Sequence, residues 1–313
     1  LRGCAPLRAP CRAAEAVSVT EGRLRGVAAG LGLVAVALGA GCASFPRVMA
    51  YERLRSPAMR DAWMEVAILA PEDLRPNEAL PIVVFLHGGG DGPDSLDRSG
   101  IAGDLVRGWA DGTVPRAVIL APEGDLGFWA NWYDGSRRYE DYVVDEVLPR
   151  VARRYHTAPC PEGCHVMGVS MGAEGALRFA LHRRGTWASV TAISGPSYDT
   201  QRRLEFLRDP LINIVIPTWH VFGPPEPLSR VRADDPWVVW ESEADVGASL
   251  HLAWGTEDRD FVRDGSERFH QHLEARGVTH TAEPFAGGHN WVSWRPVIVA
   301  AIRRVAGSGD GPR

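Results

Sequence analysis

Lysine does not occur in this chain of 313 residues, and all 34 basic side chains are arginine. They nowhere form a basic patch interleaved with aromatics, and the net charge of −5 is small, so no nucleic-acid partner is expected. The conspicuous apolar run near the N-terminus, Gly26 to Ala40, is short of the roughly 20 residues a membrane-spanning helix needs. Cysteine is scarce, with five in all. Cys160 and Cys164 stand as C-P-E-G-C, and no second pair completes a metal site around them. The preferred reading is a small surface loop closed by a disulfide in an oxidising compartment. No internal repeat divides the chain. With 45% hydrophobic and 23% charged residues, it is neither disordered nor wholly membrane-embedded.

The N-terminus has the order of a secretory signal. Arg23 and Arg25 precede the apolar run, and small residues then lead into Cys42. The stretch Leu1 to Gly22 lies upstream of this signal and carries no initiator Met, and is read as an over-extended gene start. Gly39-Ala40-Gly41-Cys42 resembles the lipobox of bacterial lipoproteins but has Gly39 where a larger aliphatic residue is usual. Two outcomes stay open: lipidation of Cys42, with attachment to a membrane, or cleavage at a nearby Ala. Either implies export to the periplasm or the exterior. The expected organisation is an extension and signal over 1–41, a linker over 42–61, one α/β domain over 62–306 and a disordered Gly-rich tail over 307–313.

Within that domain, Ile82 to Leu86 and Ala117 to Leu120 are continuous apolar runs, the pattern of strands buried on both faces. Strands are also expected at Ala62 to Ala70, His165 to Val169, Val190 to Ile193, Leu250 to Trp254 and Thr281 to Phe285. Helices are expected at Ser99 to Ala110, Arg138 to Tyr155 with a kink or break at Pro149, Met171 to His182, Phe261 to Ala275 and Pro296 to Val305. Such alternation predicts a mainly parallel sheet with helices on both faces and chemistry at the carboxyl ends of its strands. The Pro- and Trp-rich stretch 195–247 breaks the rhythm. It reads either as an excursion over the sheet edge that caps a substrate site, or as a packed connection.

The chemistry gathers at strand ends. Gly168-Val169-Ser170-Met171-Gly172 matches G-x-S-x-G between an apolar strand and an Ala- and Leu-rich helix, the setting of a sharp turn that lifts a nucleophilic serine above a sheet. A serine hydroxyl needs a base. His289, after Gly287 and Gly288 and past the last strand, is the candidate. The acid should precede it, after the penultimate strand. Asp258 in Gly255-Thr256-Glu257-Asp258 is preferred to Glu257 and Asp260. An oxyanion hole needs two donors, expected from the N–H of Met171 and of Gly89 in His87-Gly88-Gly89-Gly90, where His87 fixes the loop and does not act as a base. Trp129, Trp132 and Trp291, with Trp294, flank this site in sequence. They either stack on an apolar acyl group or sugar ring, or pack in the core.

The pieces L-P-I-V-V-F-L-H-G-G-G, N-W-Y-D-G-S-R-R-Y-E-D-Y, M-G-V-S-M-G-A, W-G-T-E-D and G-G-H-N-W together resemble the esterase D and antigen 85 family of α/β-hydrolases, from about Trp63 to the last helix. The resemblance implies an α/β-hydrolase fold and a small-molecule ester substrate. It implies ester hydrolysis, or acyl transfer to another hydroxyl, through an acyl-serine on Ser170 with Asp258 and His289. It implies no metal and no organic cofactor. The long excursion and the Cys160–Cys164 loop depart from the pattern. The readings that remain are an exported serine esterase, an acyltransferase of the antigen 85 kind, and a non-catalytic envelope protein on a hydrolase scaffold.

Overall fold

All five residues of strand β3 (Ile82–Leu86) are buried. Ile82, Val84 and Leu86 enter one apolar cluster and Val83 and Phe85 another, so the alternation of a strand feeds two separate layers. The computed structural model describes residues 47–75, 78–196, 199–216, 218–227, 235–237 and 247–307. The signal-like segment, Cys42 and the tail 308–313 lie outside the described residues.

β3 sits in an eight-stranded sheet with β1 (Ala50–Ser56), β2 (Ala62–Leu69), β4 (Val118–Pro122), β5 (Cys164–Val169), β6 (Ser189–Ile193), β7 (Ser249–Gly255) and β8 (His280–Phe285), in the order β1-β2-β4-β3-β5-β6-β7-β8. β1 and β2 are antiparallel to their neighbours, and β3 to β8 run parallel with β4. One face carries α3 (Tyr139–Asp141), a π-helical turn (Tyr142–Val147) and α4 (Leu148–Tyr155), then α5 (Met171–His182) and α9 (Asp260–Ala275). The other carries α2 (Ile101–Asp111), preceded by the short α1 (Ser95–Arg98), and α10 (Trp291–Gly307). Each large aliphatic side chain buried in these layers contributes roughly 1.5–3 kcal/mol over leaving it in water.

Several expectations need correction. Residues 42–61, expected as a linker, contain β1, which pairs with β2 from Ala50↔Ile68 to Ser56↔Ala62. Its sequence, AYERLRS, carries Glu52, Arg53 and Arg55, as suits an edge strand, where charge resists unwanted pairing. The helix around Pro149 continues through the π turn, where Leu148 N–H reaches Val143 O, so the proline falls in the first turn of α4 and its missing donor is not needed. α10 begins at Trp291, earlier than Pro296, because Asn290 Oδ1 accepts from Ser293 N at 3.0 Å and caps the helix there. β6 and β7 pair directly, and the stretch 195–247 between them leaves from the carboxyl end of β6. Its described part holds α6 (Thr200–Arg208), α7 (Pro210–Val215) and α8 (Thr218–Phe222). The helix expected over Ser99–Ala110 is α2, which starts two residues later, after Gly100 at its N-cap, and the separate α1 precedes it.

Cys160 and Cys164 are joined as a disulfide with Cα atoms 5.0 Å apart. The loop they close leads into the amino end of β5, the end of the strand opposite Ser170.

Candidate active site

Ser170 occupies the turn from β5 to α5 with φ 55° and ψ −119°. A non-glycine residue held at positive φ is strained and persists only where its surroundings fix it. Here they do. Its N–H donates to Ile193 O at 2.9 Å, and the neighbouring glycines leave no room for a side chain. A Cβ added at Gly168 would overlap the Gly172 carbonyl, and one at Gly172 would overlap the carbonyl of Leu86. The spacing in G-x-S-x-G is therefore a packing requirement at the crossing of β3, β5 and α5.

The loops after β7 and β8 are locked to each other. Glu257 N–H donates to Gly287 O at 3.0 Å, Thr256 N–H donates to Phe285 O at 2.8 Å, and Gly288 lies so close that an added Cβ would sit 2.9 Å from Glu257 O. This brings His289 onto Asp258. Its Nδ1 lies 2.9 Å from Asp258 Oδ1, and its Nε2 lies 2.9 Å from Ser170 Oγ. Since a carboxylate can only accept, Nδ1 carries the proton and Nε2 is left as the acceptor for the serine hydroxyl. Of the three rival acids, Asp258 is buried and in contact, while Glu257 and Asp260 are exposed and Asp260 pairs with Arg263. Burial pushes the Asp258 carboxyl up, but hydrogen bonds from His289 and Ser194, the charge of His289 and the N–H of Arg259 outweigh it and hold the group below the usual carboxylate range.

Ser194 and Trp294 complete the surroundings of the acid. Ser194, fully buried at the end of β6 with φ 55°, accepts from Trp294 Nε1 at 3.0 Å, which leaves its own proton directed elsewhere. The Trp294 ring meets the His289 ring edge-on, 4.7 Å between centroids. Trp294 thus links the imidazole of His289, which is bonded to Asp258, to the hydroxyl of Ser194. Ser194 was not singled out from sequence. Its place at a carboxyl strand end was the available signal.

The His87-Gly88-Gly89-Gly90 loop runs beside the serine, and a Cβ on Gly88 would lie 3.4 Å from Ser170 Cβ. His87 is buried. Its Nδ1 donates to Gly88 O at 2.8 Å, and its Nε2 accepts from Gly124 N–H at 3.0 Å. Both nitrogens are committed, and burial holds its pKa below the ordinary histidine value. His87 thus fixes the loop and is turned away from proton transfer. Gly89 and Met171, the expected donors, both border the same cavity as Ser170 and His289.

That cavity, about 630 Å³, is lined on its apolar side by Leu126, Phe128, Phe206, Ile216, Phe261 and Trp291. Its size suits a small ligand. Phe206 and Ile216 come from the stretch after β6, so the described part of that stretch does reach the cavity. Trp291 borders it as expected, but Trp129 and Trp132 do not. Trp129 is wholly buried beneath the glycine loop, with Nε1 donating to His87 O at 3.1 Å. Trp132 donates to Gly127 O at 3.3 Å and lines a neighbouring pocket with Tyr139 and Arg137. Phe128, one residue before Trp129, borders the cavity in its place.

The chain is similar to known proteins in sequence and in fold. The family model described as "Putative esterase" matches residues 56–305. Esterase Rv1288 of Mycobacterium tuberculosis is 27% identical over 249 residues, covering 72% of this chain, and the chain spans about half, 52%, of that relative's length. Among solved structures, a ferulic acid esterase superposes with a TM-score of 0.67 at 19% identity, over 82% of this chain and 96% of the other. FphF of Staphylococcus aureus, a fluorophosphonate-binding serine hydrolase, gives 0.67 at 19% identity over 82% and 98%. The arrangement they share with this chain is the α/β-hydrolase fold.

Proposed function

The chain belongs to the esterase family whose model it matches, and from that premise we propose that it hydrolyses carboxylic esters through an acyl-enzyme on Ser170. His289 Nε2 takes the proton of Ser170 Oγ as the oxygen attacks the ester carbonyl carbon. The carbonyl π pair moves onto oxygen, where the N–H groups of Met171 and Gly89 receive the negative charge. Collapse of this intermediate breaks the bond to the alcohol oxygen, which takes the proton from His289 and leaves. Water then enters, gives its proton to His289 and attacks the acyl carbon. A second collapse releases the acid and returns the proton to Ser170. Asp258 keeps the imidazole in the required tautomer and stabilises its cation.

The observation that supports this reading most is the unbroken relay, 2.9 Å from Asp258 to His289 and 2.9 Å from His289 to Ser170. The aromatic and aliphatic wall suits an apolar or aromatic acyl group, consistent with likeness to a ferulic acid esterase. The signal-like N-terminus and the Cys160–Cys164 disulfide support action outside the cytoplasm.

Replacing Ser170 with alanine should lower turnover of p-nitrophenyl butyrate by at least about a thousandfold while leaving the fold intact. It should also abolish labelling by a fluorophosphonate. Unchanged hydrolysis in that variant refutes the assignment. Partition of product between water and added alcohols identifies the acyl acceptor.

A further inference from the structure

Among the described residues, three side chains with permanent charge border the cavity: Asp91, Glu174 and Arg259. Two are already compensated. Asp91 pairs with Arg98 at 2.9 Å, and the buried Glu174 lies 3.5 Å from Arg203. Arg259 differs. Its backbone N–H holds Asp258 Oδ1 at 2.7 Å, but its guanidinium is exposed and makes no hydrogen bond or ion pair among the described residues. The carboxylate next to it in sequence, Asp260, is taken by Arg263 at 3.0 Å. Among the described residues, the uncompensated charge on the cavity wall is thus a single positive one, set among Phe128, Phe206, Phe261 and Trp291.

An arginine in this position offers a planar fork of donors that matches a carboxylate, and apolar walls around it strengthen the attraction over that in open water. Resting on the reading of Ser170 as the nucleophile, we propose that Arg259 makes the cavity selective for esters that carry a carboxylate on an apolar or aromatic body. Neutral esters of the same length fill the same wall but leave the guanidinium to water. The carboxylate sits on either the acyl or the alcohol part, and the two arms of the test distinguish them.

The first arm compares mono-p-nitrophenyl esters of succinic, glutaric and adipic acid with p-nitrophenyl esters of the matching unbranched acids. The second compares 4-carboxyphenyl butyrate with its 4-carbamoyl analogue. The readout is the ratio of kcat/KM for the anionic over the neutral ester. A ratio is needed because Arg259 also holds Asp258 through its backbone, and any disturbance of that carboxylate slows both esters alike. The wild type should favour the anionic ester in one arm by roughly three- to tenfold, the scale of a partly exposed ion pair, and high salt should erase the preference. Arg259→Gln should bring the ratio down by the same factor, Arg259→Lys should keep part of it, and Arg259→Glu should invert it. A ratio unmoved by Arg259→Gln and Arg259→Glu at every spacer in both arms overturns the proposal. Failure of the underlying reading looks different, as Ser170→Ala hydrolysing both esters at the wild-type rate, and it removes the proposal as well.

Discussion

His165 should set part of the acid limit of this fold. It is the second residue of β5, 4% exposed, with Nδ1 2.8 Å from Ser189 Oγ on the neighbouring strand. Burial, assisted by the nearby His251, pushes its pKa from 6.5 down to about 4. The folded state therefore holds the ring neutral where the unfolded chain would already bind a proton. Stability from this group is complete above pH 6.5 and is lost progressively as pH falls from 6.5 to about 4. At about 1.4 kcal/mol for each tenfold change, that interval amounts to roughly 3 kcal/mol. This is a large share of a typical folding free energy of about 5–15 kcal/mol. His87, also buried with a lowered pKa, acts in the same direction. Urea unfolding of the wild type and of His165→Asn at several pH values from 7.5 to 4 separates the two. Asparagine keeps a polar contact for Ser189 but does not titrate. The substitution lowers stability at neutral pH, and the informative quantity is the slope. The variant should lose roughly 3 kcal/mol less than the wild type over the acid range. Parallel curves for the two proteins would refute the reasoning.

The bond from Trp294 to Ser194 gives a second test. Ser194→Ala and Trp294→Phe should each lower kcat by about tenfold, and the double variant should be little worse than either, because both cut the same chain of contacts. Fully additive losses would show that the two residues act independently. Removing the disulfide with Cys160→Ser and Cys164→Ser should reduce stability by roughly 2 kcal/mol, the loop-closure entropy of so short a ring, as read from denaturant midpoints. Turnover of p-nitrophenyl butyrate should not change, since the loop adjoins the amino end of β5 and Ser170 its carboxyl end. A large fall in kcat would mean that the loop is coupled to the site.

What could be read from the sequence divides along a physical line. The parallel strands are buried on both faces, so their sequences are unbroken apolar runs, and Ile82–Leu86 has the same limits in both readings. Ser170 and His289 were legible because glycine must flank them where chains cross, a constraint that leaves its mark on sequence. β1 left no such mark, since an edge strand keeps its charged side chains in water and looks like a loop. The helices after β6 were hidden by their prolines, although Pro210 sits at the start of α7, where a helix tolerates it. The tryptophans show the deeper limit. Closeness in sequence to a catalytic loop says nothing of depth. Phe128 and Trp129 both adopt positive φ, at 54° and 56°, yet the first borders the cavity and the second is sealed under His87. Which of two adjacent aromatics meets the substrate depends on backbone angles set by distant packing. Gly124 and Gly175 vacate the space that Trp129 fills, an arrangement that pattern and spacing do not record.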